Sequence, residues 1–424
     1  LPKTENVISF PSKVNLMGEY IVRCMGCGAV QPNYALTCPN DSSLLRAYYS
    51  LKQLEIRDLP GIWKFYNWLP VKGFSNAGEA SVTYRSDGLG KELGLRNLYI
   101  SFCGYWPERG ALMKTCSFKD LEAPPTMQRL AERGDNDTLV VASAGNTARA
   151  FAQTASITEQ RLLLFVPENA MHRMWLTVEK GPITLLSVKG DYYDAIVMAE
   201  KIQSMKGFVP EGGARNIARR DGMGTVMLEA VLKIKAIPGH YFQAVGSGTG
   251  GISAWEAALR LKEDGRFGQR LPSLHLAQNV PNAPIYYEWM DKEAQLGQQV
   301  CPEDMYDDVL FNRRPPYGVR GGVKDALDAT DGRVYGITNQ EAARAKRLFE
   351  EVEEIDILNA PAVAVAALMQ AVKSGTVSPE DVILLNITGG GVARLKEDLV
   401  QNPLVPDATV SSPEEATRFL EGQL

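Results

Sequence analysis

No apolar run in these 424 residues approaches the roughly 18 that a membrane-spanning helix needs, and nothing at the amino end reads as a basic, then apolar, then small-residue leader. Both absences argue against a membrane protein and set the cytoplasm as the expected location. Cysteine is scarce. Six in a chain of this length, three of them close together near the start, suit a reducing compartment with one metal site better than a disulfide framework. An excess of positive charge is missing too: the formal net charge is −5, so the field of the whole molecule does not attract nucleic acid, and an anionic small molecule must be held by local cations and backbone amides. Internal repeats and low-complexity stretches are likewise absent. What is present is 45% hydrophobic and 22% charged residues, enough to bury two cores and to make a two-lobed globular protein the natural expectation.

Residues 1–16 precede a Met17-Gly18 pair, carry no strong pattern and are set aside as an extension outside the fold. Cys24-Met25-Gly26-Cys27-Gly28 follows, then Cys38-Pro39-Asn40-Asp41. Two such knuckles usually supply four tetrahedral ligands to zinc, and here Asp41 stands where the last sulfur is expected, a place a carboxylate can fill. Cys24, Cys27, Cys38 and Asp41 are therefore candidate metal ligands of a zinc-ribbon-like segment at 17–60, expected to serve as a structural clip. The plainer alternative is a ribbon without metal, resting on its own small core. From residue 138 onward, short apolar runs alternate with amphipathic stretches, the pattern of strands and crossover helices in a parallel sheet. Strands are predicted at 138–142, 162–166, 183–188, 240–245, 274–277 and 382–387. Helices are predicted to start at 147–153 and to cover 193–204, 224–234, 252–263, 339–351 and 360–374, with a proline-rich turn at Arg313-Arg314-Pro315-Pro316.

Four motifs stand out in chain order: Cys116-Ser117-Phe118-Lys119-Asp120, Ser143-Ala144-Gly145-Asn146, Gly246-Ser247-Gly248-Thr249-Gly250-Gly251 and Thr388-Gly389-Gly390-Gly391. Three of them follow the carboxyl end of a predicted strand, where the crevice of an open parallel sheet binds ligands. The loop from Gly246 to Gly251 lies between a strand and a helix, so its amides and the helix dipole favour a phosphate. The same residues satisfy a dinucleotide G-x-G-x-x-G spacing. However, the next strand ends in Gln278-Asn279 and offers no carboxylate for a ribose hydroxyl, and no lysine with serine or threonine completes a triphosphatase loop. A tight turn is the plain alternative. Lys119 follows small and aromatic residues whose packing would lower its amine pKa and make it nucleophilic toward an aldehyde; alternatively it is a helix-start lysine on a solvated face. Ser143 to Thr147 form a loop of amides suited to a carboxylate, and Asn146 is either a donor to a ligand oxygen or a cap on the following helix. One amine, one amide, one phosphate cradle and one hydroxyl are what is needed to hold pyridoxal phosphate by its aldehyde, phenolic oxygen, phosphate and ring nitrogen. A hydroxyl such as that of Thr388 cannot keep the ring nitrogen protonated as a carboxylate would. The ring is then the weaker electron sink, which favours elimination and replacement over transamination. Thr388 could equally be a strand-to-turn residue.

The ordered set resembles the fold-type II pyridoxal-phosphate enzymes, the group of tryptophan synthase β, cysteine synthase and threonine synthase, over about residues 24–394. The amino-terminal ribbon and Ser117-Phe118-Lys119-Asp120 are most similar to threonine synthases. Ser101-Phe102-Cys103-Gly104-Tyr105-Trp106-Pro107-Glu108, Gly61-Ile62-Trp63, the segment from Val140 to Phe151 and the Cys38-Pro39-Asn40-Asp41 ending resemble the cysteate synthase family of methanogens. Threonine synthases usually continue with arginine and glycine where this chain has Leu121 and Glu122, which sets phosphohomoserine chemistry in question. The resemblance implies an α/β fold with two open, mostly parallel sheets and flanking helices. It also implies a large cofactor-binding domain at 61–125 and 225–424, a small substrate-closing domain at 126–224, and a homo-oligomer. It further implies that O-phospho-L-serine and sulfite give L-cysteate and phosphate in coenzyme M biosynthesis, through a Lys119 imine, elimination of phosphate to an aminoacrylate and addition of sulfite. In that scheme Lys119 is catalytic, and Asn146, Gly246, Ser247, Gly248, Thr249, Gly250 and Thr388 bind cofactor. Ser143, Ala144, Gly145 and Thr147 bind substrate. Lys114, Arg149, Arg215, Arg219 and Arg220 are the candidate cations for the two anionic groups. Threonine synthase or a serine/threonine deaminase is the nearest competing activity; a nicotinamide dehydrogenase and a zinc-ribbon interaction module are the rival classes.

Overall fold

The apolar runs TLVVA, LLLFVP, ITLLSV, SLHLAQN and VILLNI are buried almost continuously, the mark of strands covered on both faces in a parallel sheet. The structure, a computed structural model, describes residues 19–292, 295–296, 300–312 and 315–422. Two sheets carry the molecule. The larger has six strands in the order Arg333–Ile337, Ser273–Asn279, His240–Ala244, Val382–Ile387, Asn97–Phe102, Val82–Arg85, all parallel except the last pair. The smaller has five parallel strands in the order Phe208–Pro210, Thr138–Ala142, Leu162–Pro167, Ile183–Val188, Ala408–Val410. Each sheet has helices packed on it. Asn359–Lys373, buried along most of its length, lies against the centre of the six-stranded sheet, and Tyr192–Gln203 and Asn146–Thr158 lie against the five-stranded one. This is the expected α/β fold of fold-type II enzymes.

Near the amino end, Tyr20–Cys24, Val30–Gln31 and Leu45–Tyr49 form a three-stranded antiparallel sheet. Buried charge docks it onto the helices behind. Arg46 bonds Glu256 at 3.0 Å, Glu256 also takes Arg220 at 3.0 Å, and the Tyr49 hydroxyl donates to Asp221 at 2.5 Å. The extension expected at 1–16, together with Met17, Gly18, Arg313 and Arg314, lies outside the described residues.

Two features of the chain's course bear on the expected division. A boundary at 224/225 would cut the helix Ile217–Ile234, which runs unbroken from beside the Lys119 turn to the far end of its packing against Thr249–Asp264. And the chain from 225 onward does not stay with the larger sheet: Ala408–Val410 joins the small one beside Ile183–Val188, and the helix Pro413–Glu421 packs on Tyr192–Gln203. A three-residue edge strand carries too little alternation to be recognised by pattern.

Candidate active site

The segment 115–122 is shaped by the turn that follows the strand Val382–Ile387. Phe118 N–H donates to the Thr388 carbonyl at 3.0 Å, Ser117 bridges to Gly389, and Gly390 N–H donates to the Cys116 carbonyl at 3.1 Å. A short 3-10 turn, Phe118–Leu121, then sets Lys119 at its start, with the Ser117 hydroxyl accepting from the Lys119 N–H at 3.4 Å. Gly222 permits the close approach of the helix behind, because a Cβ there would overlap the Leu121 carbonyl. The motifs around Lys119 and Thr388, far apart in the chain, are thus one piece of backbone.

A cleft of about 960 Å³ opens between the carboxyl ends of the two sheets. Lys119, Ser143, Ala144, Gly145, Asn146, Thr147, Gly246, Ser247, Gly248, Thr249, Gly250, Thr388 and Arg215 all line it. Lys119 does not stand on a solvated face: its side chain is 23% exposed and its amine bonds the fully buried Glu122 carboxylate at 3.3 Å. Burial pulls the Lys119 amine below the ordinary lysine value, while Glu122 pulls the other way. Asn146 begins the helix Asn146–Thr158, which has no side-chain cap, so capping is not its role. Its Oδ1 accepts from Arg149 at 2.8 Å. A guanidinium only donates, so the Asn146 oxygen is committed to it and the NH2 end is left to donate elsewhere.

The cradle is built by exclusion of side chains. A Cβ on Gly248 would overlap Val323, and one on Gly250 would overlap the Gln243 amide, so the loop packs closely against its neighbours where it lines the cleft at the start of the helix Thr249–Asp264. Gly248, at φ 81°, takes the left-handed conformation that glycine tolerates. An amine lowered by burial, a glycine cradle at a helix start, an amide with its NH2 end available and a hydroxyl at a strand end fit pyridoxal phosphate.

Three of the five expected cations are placed differently from the expectation. Arg149 is buried; it donates to the Thr115 carbonyl, the Arg173 carbonyl and Asn146, and lies 4.6 Å over the Trp175 ring, so it holds the wall instead of facing substrate. Arg220 is fully buried on Glu256 and the carbonyls of Ala214 and Leu45. Lys114 is half-buried outside the cleft lining, facing Glu79. Arg219 does reach the cleft but is held by Glu122 at 2.7 Å and by Glu211. Arg215 is exposed in the cleft and, among the described residues, no ion pair takes it up.

Sequence reasoning missed Glu122 and Glu211 as site residues, and missed the walls supplied by Leu36, Thr37, Ser42 and Leu44 from the ribbon and by Asp308 to Asn312. The one signal was a glutamate in the apolar stretch Leu121 to Pro125. In the ribbon, the donor atoms of Cys24, Cys27, Cys38 and Asp41 all lie within 4.8 Å of one another, with Cys24 Sγ 3.1 Å from Asp41 and Cys27 Sγ 3.6 Å from Cys38 Sγ. Three thiols and a carboxylate so spaced could hold a tetrahedral metal ion, and the donor set fits zinc.

Residues 83–389 match the family model described as pyridoxal-phosphate dependent enzyme. The chain is 59% identical over 397 residues to the cysteate synthase of Methanococcoides burtonii, covering 93% of this chain and 94% of that one, and 59% identical over 398 residues to the cysteate synthase of Methanothrix thermoacetophila, covering 93% and 96%. The chain belongs to the pyridoxal-phosphate-dependent enzymes and, within them, to the cysteate synthase family. The fold of these enzymes recurs in the processed threonine deaminase isoform 2 of Solanum lycopersicum, with a TM-score of 0.56 at 15% identity over 75% of this chain and 86% of that one. Members of the pyridoxal-phosphate-dependent family work on small molecules, and among the described residues no helix is long and apolar enough to cross a membrane.

Proposed function

We propose that this enzyme makes L-cysteate from O-phospho-L-serine and sulfite, releasing phosphate, by a β-replacement on the route to coenzyme M. The observation that carries the reading is the convergence of Lys119, Asn146, the Gly246 to Gly250 cradle and Thr388 on one cleft, in a chain 59% identical to cysteate synthases over nearly its whole length. When bound, pyridoxal phosphate supplies an electron sink for the amino-acid α-carbon. The loop from Gly246 to Gly250 would hold its phosphate, Asn146 would donate from its NH2 end to its phenolic oxygen, and the Thr388 hydroxyl would serve its ring nitrogen. The loop from Ser143 to Thr147, at the start of the helix Asn146–Thr158, binds the substrate carboxylate through the amides of Ala144, Asn146 and Thr147, since the Ser143 N–H donates to the Phe165 carbonyl and the Gly145 N–H to the Ser143 hydroxyl. Lys119 Nζ, whose hold on a proton burial weakens, takes the α-proton when it is in its unprotonated form and later returns it. Arg215 is the cation with which the leaving phosphate and the entering sulfite pair in turn.

Around this centre, the ribbon holds zinc as a structural clip. None of the six cysteines is joined in a disulfide, a state that a cytoplasmic setting maintains, and we expect a homo-oligomer. Product analysis tests the central reading. Phosphate release and a new sulfonated amino acid are expected from phosphoserine with sulfite, and neither threonine nor phosphate from phosphohomoserine; the reverse pattern would make this a threonine synthase.

A further inference from the structure

Glu122 is fully shielded from water, a setting in which a lone carboxylate loses its charge. Here each oxygen meets a cation: Oε1 accepts from Arg219 Nη2 at 2.7 Å and Oε2 from Lys119 Nζ at 3.3 Å. Arg219, on the helix Ile217–Ile234, is closed on its other side by Glu211, and the Tyr192 phenol at the start of the helix Tyr192–Gln203 stands within electrostatic reach of all three. Charge therefore alternates along Lys119, Glu122, Arg219 and Glu211. Burial raises the Glu122 carboxyl, but Arg219 and Lys119 outweigh it and keep the group below the usual glutamate value, hence ionised.

We infer that Glu122 is a positioning residue for Lys119, the fixed counter-charge against which the lysine amine takes up and gives back the substrate α-proton. This rests on the proposed reaction at Lys119. When Nζ, in its unprotonated form, accepts the proton, the C–H electron pair stays with the substrate and the nitrogen returns to the ammonium state, whose charge the Glu122 carboxylate neutralises without moving. When the product forms, the N–H bond breaks and the proton returns to the α-carbon. Glu122 itself neither gains nor loses a proton. A glutamine there keeps the shape and an oxygen for Arg219 but not the charge.

The test is a pH titration of the visible absorbance of the cofactor-bound enzyme, which follows protonation of the nitrogen that joins Lys119 to the cofactor. Removing the opposite charge in E122Q is expected to lower the midpoint by about 1–3 pH units, whereas E122D, with charge retained, stays near wild type. An unmoved midpoint in E122Q overturns the inference. So does an E122D shift as large as that of E122Q, since packing and not charge would then be responsible. If E122Q does not fold, E211Q reads the same network from the far side of Arg219. A smaller downward shift supports the inference, and an unchanged or raised midpoint overturns it. Wild-type protein that forms no such chromophore sinks the proposed reaction itself, a failure distinct from these.

Discussion

At Asn146 the direction of an amide is decided by a neighbour that does not touch the cleft. Arg149 spends its donors on the Thr115 and Arg173 carbonyls and on Asn146 Oδ1, and burial pulls its pKa down to about 10. Truncation in Arg149→Ala leaves buried carbonyls unpaired and lets the Asn146 amide turn. The expected loss is on the order of 3 kcal/mol in urea unfolding, together with weaker cofactor retention. A variant as stable as wild type would show that these bonds do not hold the wall. That Lys119, Asn146, the Gly246 to Gly250 loop and Thr388 meet at one cleft is legible in the sequence because such residues recur where strands end, and strand ends show as apolar runs. The cations were not. Hydropathy places every arginine at the surface, and only the folded chain separates Arg215, which faces the cleft, from Arg220, which is sealed against Glu256.

Among the elements, the helix Ile217–Ile234 best shows what pattern can and cannot reveal. Its later part, from 224, was predicted from apolar spacing. Its first turns, with Arg219, Arg220, Asp221 and Gly222, were missed because their charges are buried in ion pairs and because glycine argues against a helix interior. Gly222 is there for contact: a Cβ would strike the Leu121 carbonyl in the turn that carries Lys119. In an open helix, glycine to alanine gains about 1 kcal/mol; at this position Gly222→Ala is expected to lose stability instead and to weaken cofactor binding. Denaturant midpoints and a cofactor titration read both effects, and a stabilised variant with normal affinity would contradict the packing argument. The six strands expected from 138 onward all fall on observed strands, but Asn97–Phe102, internal to the larger sheet, and Arg333–Ile337 are not among them, and the edge strands Phe208–Pro210 and Ala408–Val410 are too short to show a period.

At the scale of the whole molecule, Arg173 pairs with Asp308 at 2.7 Å and so ties the small-sheet lobe to the 308–312 wall of the cleft. Arg173 also donates to the Ala144 carbonyl at 3.1 Å, beside the amides expected to hold the substrate carboxylate. Closure through this pair would keep water from the reactive β-carbon while phosphate leaves and sulfite enters. In Asp308→Asn a larger share of turnovers should end in ammonia release without sulfonate formation, while overall folding stays intact. An unchanged partition would remove the pair from any gating role. The tail that returns to the small sheet ties the two lobes together a second time, which the sequence pattern gave no means to foresee. The account as a whole stands on a covalent link between pyridoxal phosphate and the amine of Lys119. Borohydride reduction of the purified enzyme followed by peptide mass analysis is expected to place the cofactor mass on Lys119; reduced protein carrying no cofactor mass there, even after supplementation with pyridoxal phosphate, would contradict it.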